Sequence, residues 1–155
     1  MIWNELDSRL VAIGLDVRSQ TEVFEIMGKR LTELHYCKPG YVPALMEREA
    51  EFPTGIDIGG VGVAMPHTDG SFVNRAAIGI AVLKSPVPFV HMATEDTIVP
   101  VRIVLMLAVD RPDCHLQKIQ DLLTVIQDKH ILEEMVSAGS AADLIEIIKK
   151  KESGE

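Results

Sequence analysis

Histidines are the side chains of this sequence that are best suited to group transfer. They are His35, His67, His91, His115 and His130. A neutral imidazole offers a lone pair to an electrophile such as phosphorus, and an ordinary pKa of about 6.5 keeps most of it neutral at pH 7. The sequence contains no P-loop, dinucleotide fingerprint, HExxH or GxSxG motif, so the enzyme classes that use those motifs are not indicated.

His67 has the surroundings of a reacting group. It follows the sequence Gly-Val-Ala-Met-Pro, in which Pro66 favours an extended conformation for Met65, so that His67 emerges where a predicted strand ends. Ligands of α/β sheets collect beyond the carboxyl ends of strands. Small residues such as Gly62 leave room for the backbone of another molecule. The alternative is a turn histidine that only packs or forms a hydrogen bond.

Two further side chains are candidates for holding a phosphoryl group next to His67. His115 falls in the first turn of a predicted helix, where backbone N–H groups favour an anion. Arg48 precedes the loop that leads to the His67 strand, and its planar guanidinium matches phosphate oxygens. The alternatives are a histidine that only caps its helix, and an arginine that is solvated or paired with nearby carboxylates.

A metal site is a weaker interpretation. His67 and Asp69 form an HxD pattern, and Cys114 adjoins His115, so a metal-dependent hydrolase using His67, Asp69 and His115 is an alternative hypothesis. No further ligand follows at a recognised spacing, and we predict no metal and no cofactor. The other three histidines are predicted to be surface residues, and neither cysteine shows a sign of nucleophile activation.

The elements that position these residues alternate between strands and helices. Ser19 and Glu22 have the spacing of a capping box in which each side chain accepts from a backbone N–H, and Ser140 has the position of a second N-cap. Helices are predicted from residue 20 to about 34, over 41–51, from about 112 through Ile126, over 131–137 and after 140, before a charged tail at 149–155. Strands are predicted at the edge over 10–17, then over 61–65, 77–83 and 101–109, with loops over 55–60 and 85–88.

This order of elements indicates an α/β protein. The almost unbroken apolar character of 101–109 indicates a strand that is covered on both faces. Helices before and after it predict a central sheet with helical layers on both sides. The chain has 155 residues, of which 47% are hydrophobic and 25% charged, so we predict one domain spanning residues 1–155.

Charge and hydropathy exclude several classes of partner. Fifteen Lys and Arg against 23 Asp and Glu give a formal net charge of −8, which argues against nucleic acid and anionic membranes and suits a basic protein partner. The longest apolar run, 103–109, is too short to cross a bilayer. Two cysteines without a CxxC pair, and no signal peptide, predict a cytoplasmic location.

Three segments of the chain resemble a known family. Residues 48–55, Arg-Glu-Ala-Glu-Phe-Pro-Thr-Gly, precede Val-Ala-Met-Pro-His at 63–67, and Asp-Cys-His-Leu-Gln follows at 113–117. Together they resemble the enzyme IIA component of the bacterial sugar phosphotransferase system, fructose–mannitol family. The likeness extends over nearly the whole chain, and the sequence of residues 48–56 is most similar to that of galactitol-type members.

The resemblance implies a fold and an activity. The fold would be a three-layer α/β/α sandwich with a central mixed β-sheet. His67 would accept a phosphoryl group from the phosphocarrier protein HPr and pass it to enzyme IIB, which serves the membrane component IIC. His115 and Arg48 would support the phosphoryl group and orient the imidazole. No metal or nucleotide on the protein is implied.

One residue departs from the family pattern. The family usually has Gly, Ala or Cys after the active histidine, whereas this chain has Thr68. Its hydroxyl would either bond a phosphoryl oxygen or crowd it, which affects the fit of the carrier more than the nucleophile.

An enzyme IIA-like regulatory protein that signals by its phosphorylation state is the alternative function, and the resemblance does not identify the sugar.

Overall fold

The fold is built around one mixed sheet. The computed structural model describes residues 2–109 and 112–154, without the side chains of residues 4, 112–116, 118 and 119. The strands are Val11–Leu15 (β1), Ile56–Ile58 (β2), Val61–Ala64 (β3), Ala77–Val90 (β4) and Ile98–Ala108 (β5). The helices are Gln20–Glu33 (α1), Tyr41–Glu51 (α2), Pro112–Ile126 (α3), Lys129–Val136 (α4) and Ala141–Ser153 (α5).

The sheet places β5 at its centre. Its strand order is β1-β4-β5-β3-β2. β1 runs parallel to β4 and β3 runs parallel to β5, while the β4–β5 and β2–β3 pairs are antiparallel. The predicted edge position of β1 is therefore correct, and the carboxyl ends of β3 and β5 meet at one edge of the sheet.

Helices cover both faces of the sheet, as predicted. Side chains of β5 alternate between two cores, because successive residues of a strand point to opposite faces. Val104 and Met106 belong to the core under α1 and α2. Ile103 and Leu105 belong to the core under α3, α4 and α5. The three-layer α/β/α arrangement with a central mixed sheet follows from these two cores.

The predicted N-caps explain where two helices begin. The Ser19 hydroxyl accepts from the Glu22 N–H at 3.2 Å, and the Ser140 hydroxyl accepts from the Asp143 N–H at 3.1 Å. One half of the predicted capping box is wrong, since the Glu22 carboxylate accepts from the Ser19 hydroxyl at 3.4 Å rather than from its N–H. The predicted bounds of α2 are those observed.

Three local predictions are wrong for physical reasons. Residues 55–60 were predicted as a loop, but they contain β2, which forms a hairpin with β3 through Gly59 and Gly60, both at positive φ. The predicted loop 85–88 is part of β4, whose Pro88 lies opposite Pro100 of β5. Residues 149–153, predicted as part of a tail, continue α5.

No helix in the described ranges 2–109 and 112–154 is long and apolar enough to cross a membrane.

Candidate active site

His67 lies at the sheet edge where β3 and β5 both end. It forms a parallel bridge with Leu107, and the Leu107 N–H donates to the Pro66 carbonyl at 3.0 Å. On the other side of Leu107, the buried Tyr41 hydroxyl donates to its carbonyl at 2.9 Å. The backbone before His67 is therefore fixed to the central strand, which is in turn fixed to the start of α2.

The hydrogen bond of the His67 ring indicates which of its nitrogens carries the hydrogen. The ring is half-buried, and its Nδ1 lies 2.9 Å from the Met65 carbonyl oxygen. A carbonyl oxygen only accepts, so in the neutral ring Nδ1 carries the hydrogen and Nε2 carries the lone pair. In this tautomer the lone pair lies on Nε2, a distinction between the two ring nitrogens that the sequence alone did not make.

His115 belongs to the same edge of the sheet by its position in the chain. Helix α3 begins at Pro112, after the carboxyl end of β5, so residue 115 falls in the first turn of α3, as predicted. The His115 side chain lies outside the described residues, and its role stays a prediction.

Arg48 faces the loop that follows His67. Its exposed side chain lines a groove of about 240 Å³ together with Thr68, Asp69 and Phe72. The guanidinium carbon lies 5.0 Å from the centre of the Phe52 ring, a cation–π distance. The structure therefore brings Arg48 to the residues next to His67. Phe52, 53% exposed, is a part of this groove that the sequence reasoning did not single out.

The two residues after His67 have their polar groups turned to the backbone. The Asp69 carboxylate accepts from the Ser71 N–H at 2.8 Å and from the Ser71 hydroxyl, and these bonds, helped by the nearby Arg48 charge, lower the pKa of Asp69. Thr68 is buried, and its hydroxyl donates to the Asp69 carbonyl at 3.2 Å. The Thr68 hydroxyl is thus turned to the backbone of its own loop.

Among the described side chains, the other candidates do not assemble into a second site; the alternative metal site of His67, Asp69 and His115 includes a side chain that lies outside the described residues. Among the described residues, no group of three His, Cys, Asp or Glu side chains is placed to hold a metal ion. His35 and His130 are exposed as predicted, whereas His91 is half-buried, with Nδ1 2.8 Å from the Met92 carbonyl oxygen. Burial raises the pKa of the Cys37 thiol to about 12, which disfavours the thiolate; the Cys114 side chain lies outside the described residues.

Gly62 serves the packing of two strands. It is buried and pairs with Val101, and a Cβ added there would overlap the Pro100 carbonyl oxygen and lie 2.9 Å from the Val101 Cα. The prediction that Gly62 leaves room for another molecule is therefore wrong, because β5 of the same chain occupies that space.

Gly62→Ala is expected to destabilise the protein by about 1–3 kcal/mol, because the strand backbone must move to admit the methyl group. Urea unfolding measures this difference. Gly139→Ala is the control, since its Cβ would meet only the Asp143 Oδ2 at 3.4 Å, and a change within about 0.5 kcal/mol is expected. Equal effects of the two substitutions would contradict the packing argument.

Sequence reasoning missed Glu49 and Thr54, which lie next to the site. Glu49 is only 4% exposed, and its carboxylate accepts from both the N–H and the hydroxyl of Thr54. A signal was present in the sequence: Tyr41, Leu45 and Glu49 recur every four residues, which puts Glu49 on the apolar face of α2. All three are buried.

Comparisons with known proteins bear on the family and the fold. Residues 5–151 match the family model described as phosphoenolpyruvate-dependent sugar phosphotransferase system, EIIA 2. The galactitol-specific EIIA component of Escherichia coli K12 is 30% identical over 127 residues, covering 82% of this chain and 84% of that protein. The mannitol-specific EIICBA component of Vibrio cholerae is 26% identical over 145 residues, covering 93% of this chain but only 21% of that longer protein.

Solved structures confirm the predicted α/β fold. A putative IIA domain of the phosphotransferase system from Streptococcus pyogenes superposes with a TM-score of 0.79 at 21% identity, covering 98% of this chain and 96% of that one. The Escherichia coli mannitol enzyme IIA, solved in complex with phosphorylated enzyme IIB, has a TM-score of 0.76 at 23% identity, covering 93% and 96%.

Proposed function

This chain belongs to the EIIA 2 family of the phosphoenolpyruvate-dependent sugar phosphotransferase system, and we propose that it is a phosphocarrier whose His67 holds the phosphoryl group on Nε2. The family consists of phosphotransferase components of that system. One observation carries the residue assignment. The Met65 carbonyl accepts a hydrogen bond from the Nδ1–H, which leaves the lone pair on Nε2, in a half-buried ring at the edge of the sheet.

The proposed transfer needs only the side chains of the site and a phosphorylated donor. The Nε2 lone pair forms a bond to phosphorus while the bond between phosphorus and the donor's nitrogen breaks, and that electron pair returns to the donor. The hydrogen stays on Nδ1, so the ring gains positive charge as the new bond forms, and the Met65 carbonyl stabilises that charge. The reverse exchange passes the group to the next acceptor.

Arg48 and His115 are proposed to stabilise the transferring group. Negative charge is spread over the equatorial oxygens of a phosphoryl group in transfer, so positioned cations and N–H donors supply most of the catalysis. Arg48 already faces the loop after His67, and residue 115 lies in the first turn of α3 at the same edge of the sheet. On these positions rests the proposal that both act on a group held at Nε2.

The proposed partners are HPr as donor and enzyme IIB as acceptor, with the membrane component IIC served through enzyme IIB. The net charge of −8 favours encounter with a basic donor surface, and this attraction should weaken with salt. The complex of the mannitol enzyme IIA with its phosphorylated IIB supports the acceptor. The galactitol-specific relative supports uptake of galactitol or a similar sugar. The carrier is proposed to be cytoplasmic, with residues 1–155 acting as one domain.

Incubation with phosphoenolpyruvate, enzyme I and HPr tests the proposal. We expect one phosphoryl group per chain, labile in acid and stable in base, as a phosphohistidine is. Omission of HPr is the control and should leave the chain unlabelled. A wild-type protein that takes up no label from phosphorylated HPr would disprove the proposed function.

A second step of the same experiment addresses the regulatory alternative. The labelled protein is mixed with candidate enzyme IIB domains, and we expect rapid loss of label to the domain of the cognate sugar system. Label that is acquired but passed to no IIB domain would favour a regulatory protein over a transport carrier.

A further inference from the structure

Glu49 is a buried carboxylate that the proposed transfer does not use. It is 4% exposed, and its two oxygens both accept from Thr54, Oε2 from the N–H at 2.7 Å and Oε1 from the hydroxyl at 2.8 Å. Burial raises the pKa of the Glu49 carboxyl, while the two bonds from Thr54 act in the opposite direction. A charge that is removed from water at such cost requires a compensating interaction or a role.

Thr54 connects Glu49 to the strand that ends at His67. Its Oγ1 accepts from the Met65 N–H at 3.1 Å. A hydroxyl has one hydrogen, and the ionised carboxylate of Glu49 only accepts, so that hydrogen points to Glu49 and the Oγ1 lone pairs are left for Met65. The carboxylate therefore fixes the direction of both hydrogen bonds.

The link from Met65 to the His67 ring is short and stiff. Met65 is held at its N–H by Thr54, and its carbonyl accepts from the His67 Nδ1 at 2.9 Å. Pro66, which follows, has a fixed φ, and its carbonyl is held by the Leu107 N–H at 3.0 Å. A displacement of Met65 is therefore transmitted to the carbonyl that orients the ring.

We infer that Glu49 is a positioning residue for His67, acting through Thr54 and Met65 to hold the ring in the Nδ1–H tautomer, in which Nε2, the nitrogen proposed to take the phosphoryl group, carries the lone pair. The role in transfer rests on the proposed function. Glu49 lies beside Arg48 at the end of α2, so one helix end supplies both a side chain that faces the loop after His67 and one that orients the His67 ring.

Nitrogen NMR of the His67 ring tests the link without any phosphoryl transfer. At alkaline pH the wild type is expected to show the Nδ1–H tautomer. Glu49→Gln keeps the size of the side chain but has one carbonyl oxygen, so it accepts from only one of the two Thr54 donors. Thr54→Val removes the hydroxyl that holds Met65. Both variants should populate the Nε2–H tautomer, whereas Thr54→Ser should retain the wild-type spectrum.

Transfer kinetics from phosphorylated HPr give the second readout. Glu49→Gln and Thr54→Val should each lower kcat by about 10- to 100-fold, by analogy with the loss of a partner that orients a metal-ligating histidine. The KM for the donor should not change, because Glu49 is buried and does not meet the donor. Glu146→Gln is the matched control, an identical change at an exposed position of α5 on the other face of the sheet, and should leave both constants unchanged.

The outcomes separate this inference from the proposed function. The positioning role of Glu49 would be overturned if the folded Glu49→Gln and Thr54→Val proteins keep the wild-type tautomer and kcat. Variants that lose only stability would overturn it as well, because that is the result expected of a purely structural residue. If Glu49→Gln does not fold, the Thr54→Val and Thr54→Ser pair decides. A wild type without label but with the expected tautomer shifts would disprove the proposed function and uphold the link from Glu49 to His67.

Discussion

His67→Ala is expected to abolish phosphoryl transfer to the protein, with the rate from phosphorylated HPr falling by at least about 10⁴-fold. The reason is chemical, since the substitution removes the nucleophile itself, and removal of a nucleophile is among the most damaging changes to covalent catalysis. The measurement is uptake of labelled phosphate at a fixed concentration of HPr, followed over time in wild type and variant.

The fold should survive this substitution, which makes the loss of label interpretable. The His67 ring is half-buried, and its hydrogen bond to the Met65 carbonyl contributes about 1 kcal/mol, so the variant should unfold slightly earlier in urea. His130→Ala is the control, because that side chain is exposed on α4, and it should be labelled at the wild-type rate. Undiminished labelling of a folded His67→Ala protein would remove His67 from the mechanism.

The features that the sequence predicted correctly are local ones. Ser19 and Ser140 begin helices because a short hydroxyl side chain satisfies an N–H three residues on, and this depends on nothing distant. The buried centre of the sheet follows from the apolar character of β5, and the strand end at His67 follows from Pro66. The fold class and the position of His67 at a strand end needed no more than this.

The features that it predicted wrongly depend on distant partners. Pro86 and Pro88 are loop residues by local preference, yet β4 continues through this segment because β5 lies beside it, with a register shift between Val82 and Val87 that accommodates the irregularity. Gly62 is small because Pro100, far along the chain, occupies the adjoining space. Such contacts between distant residues cannot be predicted from the periodicity of the sequence.

The site shows the same division between local and distant information. The Pro-His sequence placed His67 at a strand end, but the tautomer depends on where the Met65 carbonyl points. In the sequence Glu49 looks like any other acidic residue of an acidic helix. Only the structure shows that Thr54 donates hydrogen bonds to both of its carboxylate oxygens. Residue types single out the candidate histidine, and the tertiary structure determines which of its nitrogens carries the lone pair.

Arg48→Ala is expected to slow phosphoryl transfer by about 10²- to 10³-fold, the usual effect of removing one positioned donor from a transferring anion. Arg48 is exposed at the end of α2 and faces the loop after His67, so stability should change by no more than about 0.5 kcal/mol. Arg48→Lys should recover only part of the rate, because an ammonium lacks the planar fork that meets two phosphoryl oxygens at once.

A change of net charge alone also slows encounter with a basic partner, so the control must remove the same charge elsewhere. Arg18→Ala does so at an exposed position before α1, and we expect it to keep the wild-type rate at a salt concentration that screens distant charges. Rates measured at low and high salt then separate the two effects. A local role predicts that the loss in Arg48→Ala persists at high salt, because the guanidinium acts within contact distance of the phosphoryl group. Equal losses in the two variants would assign the effect of Arg48 to overall charge and exclude it from the site.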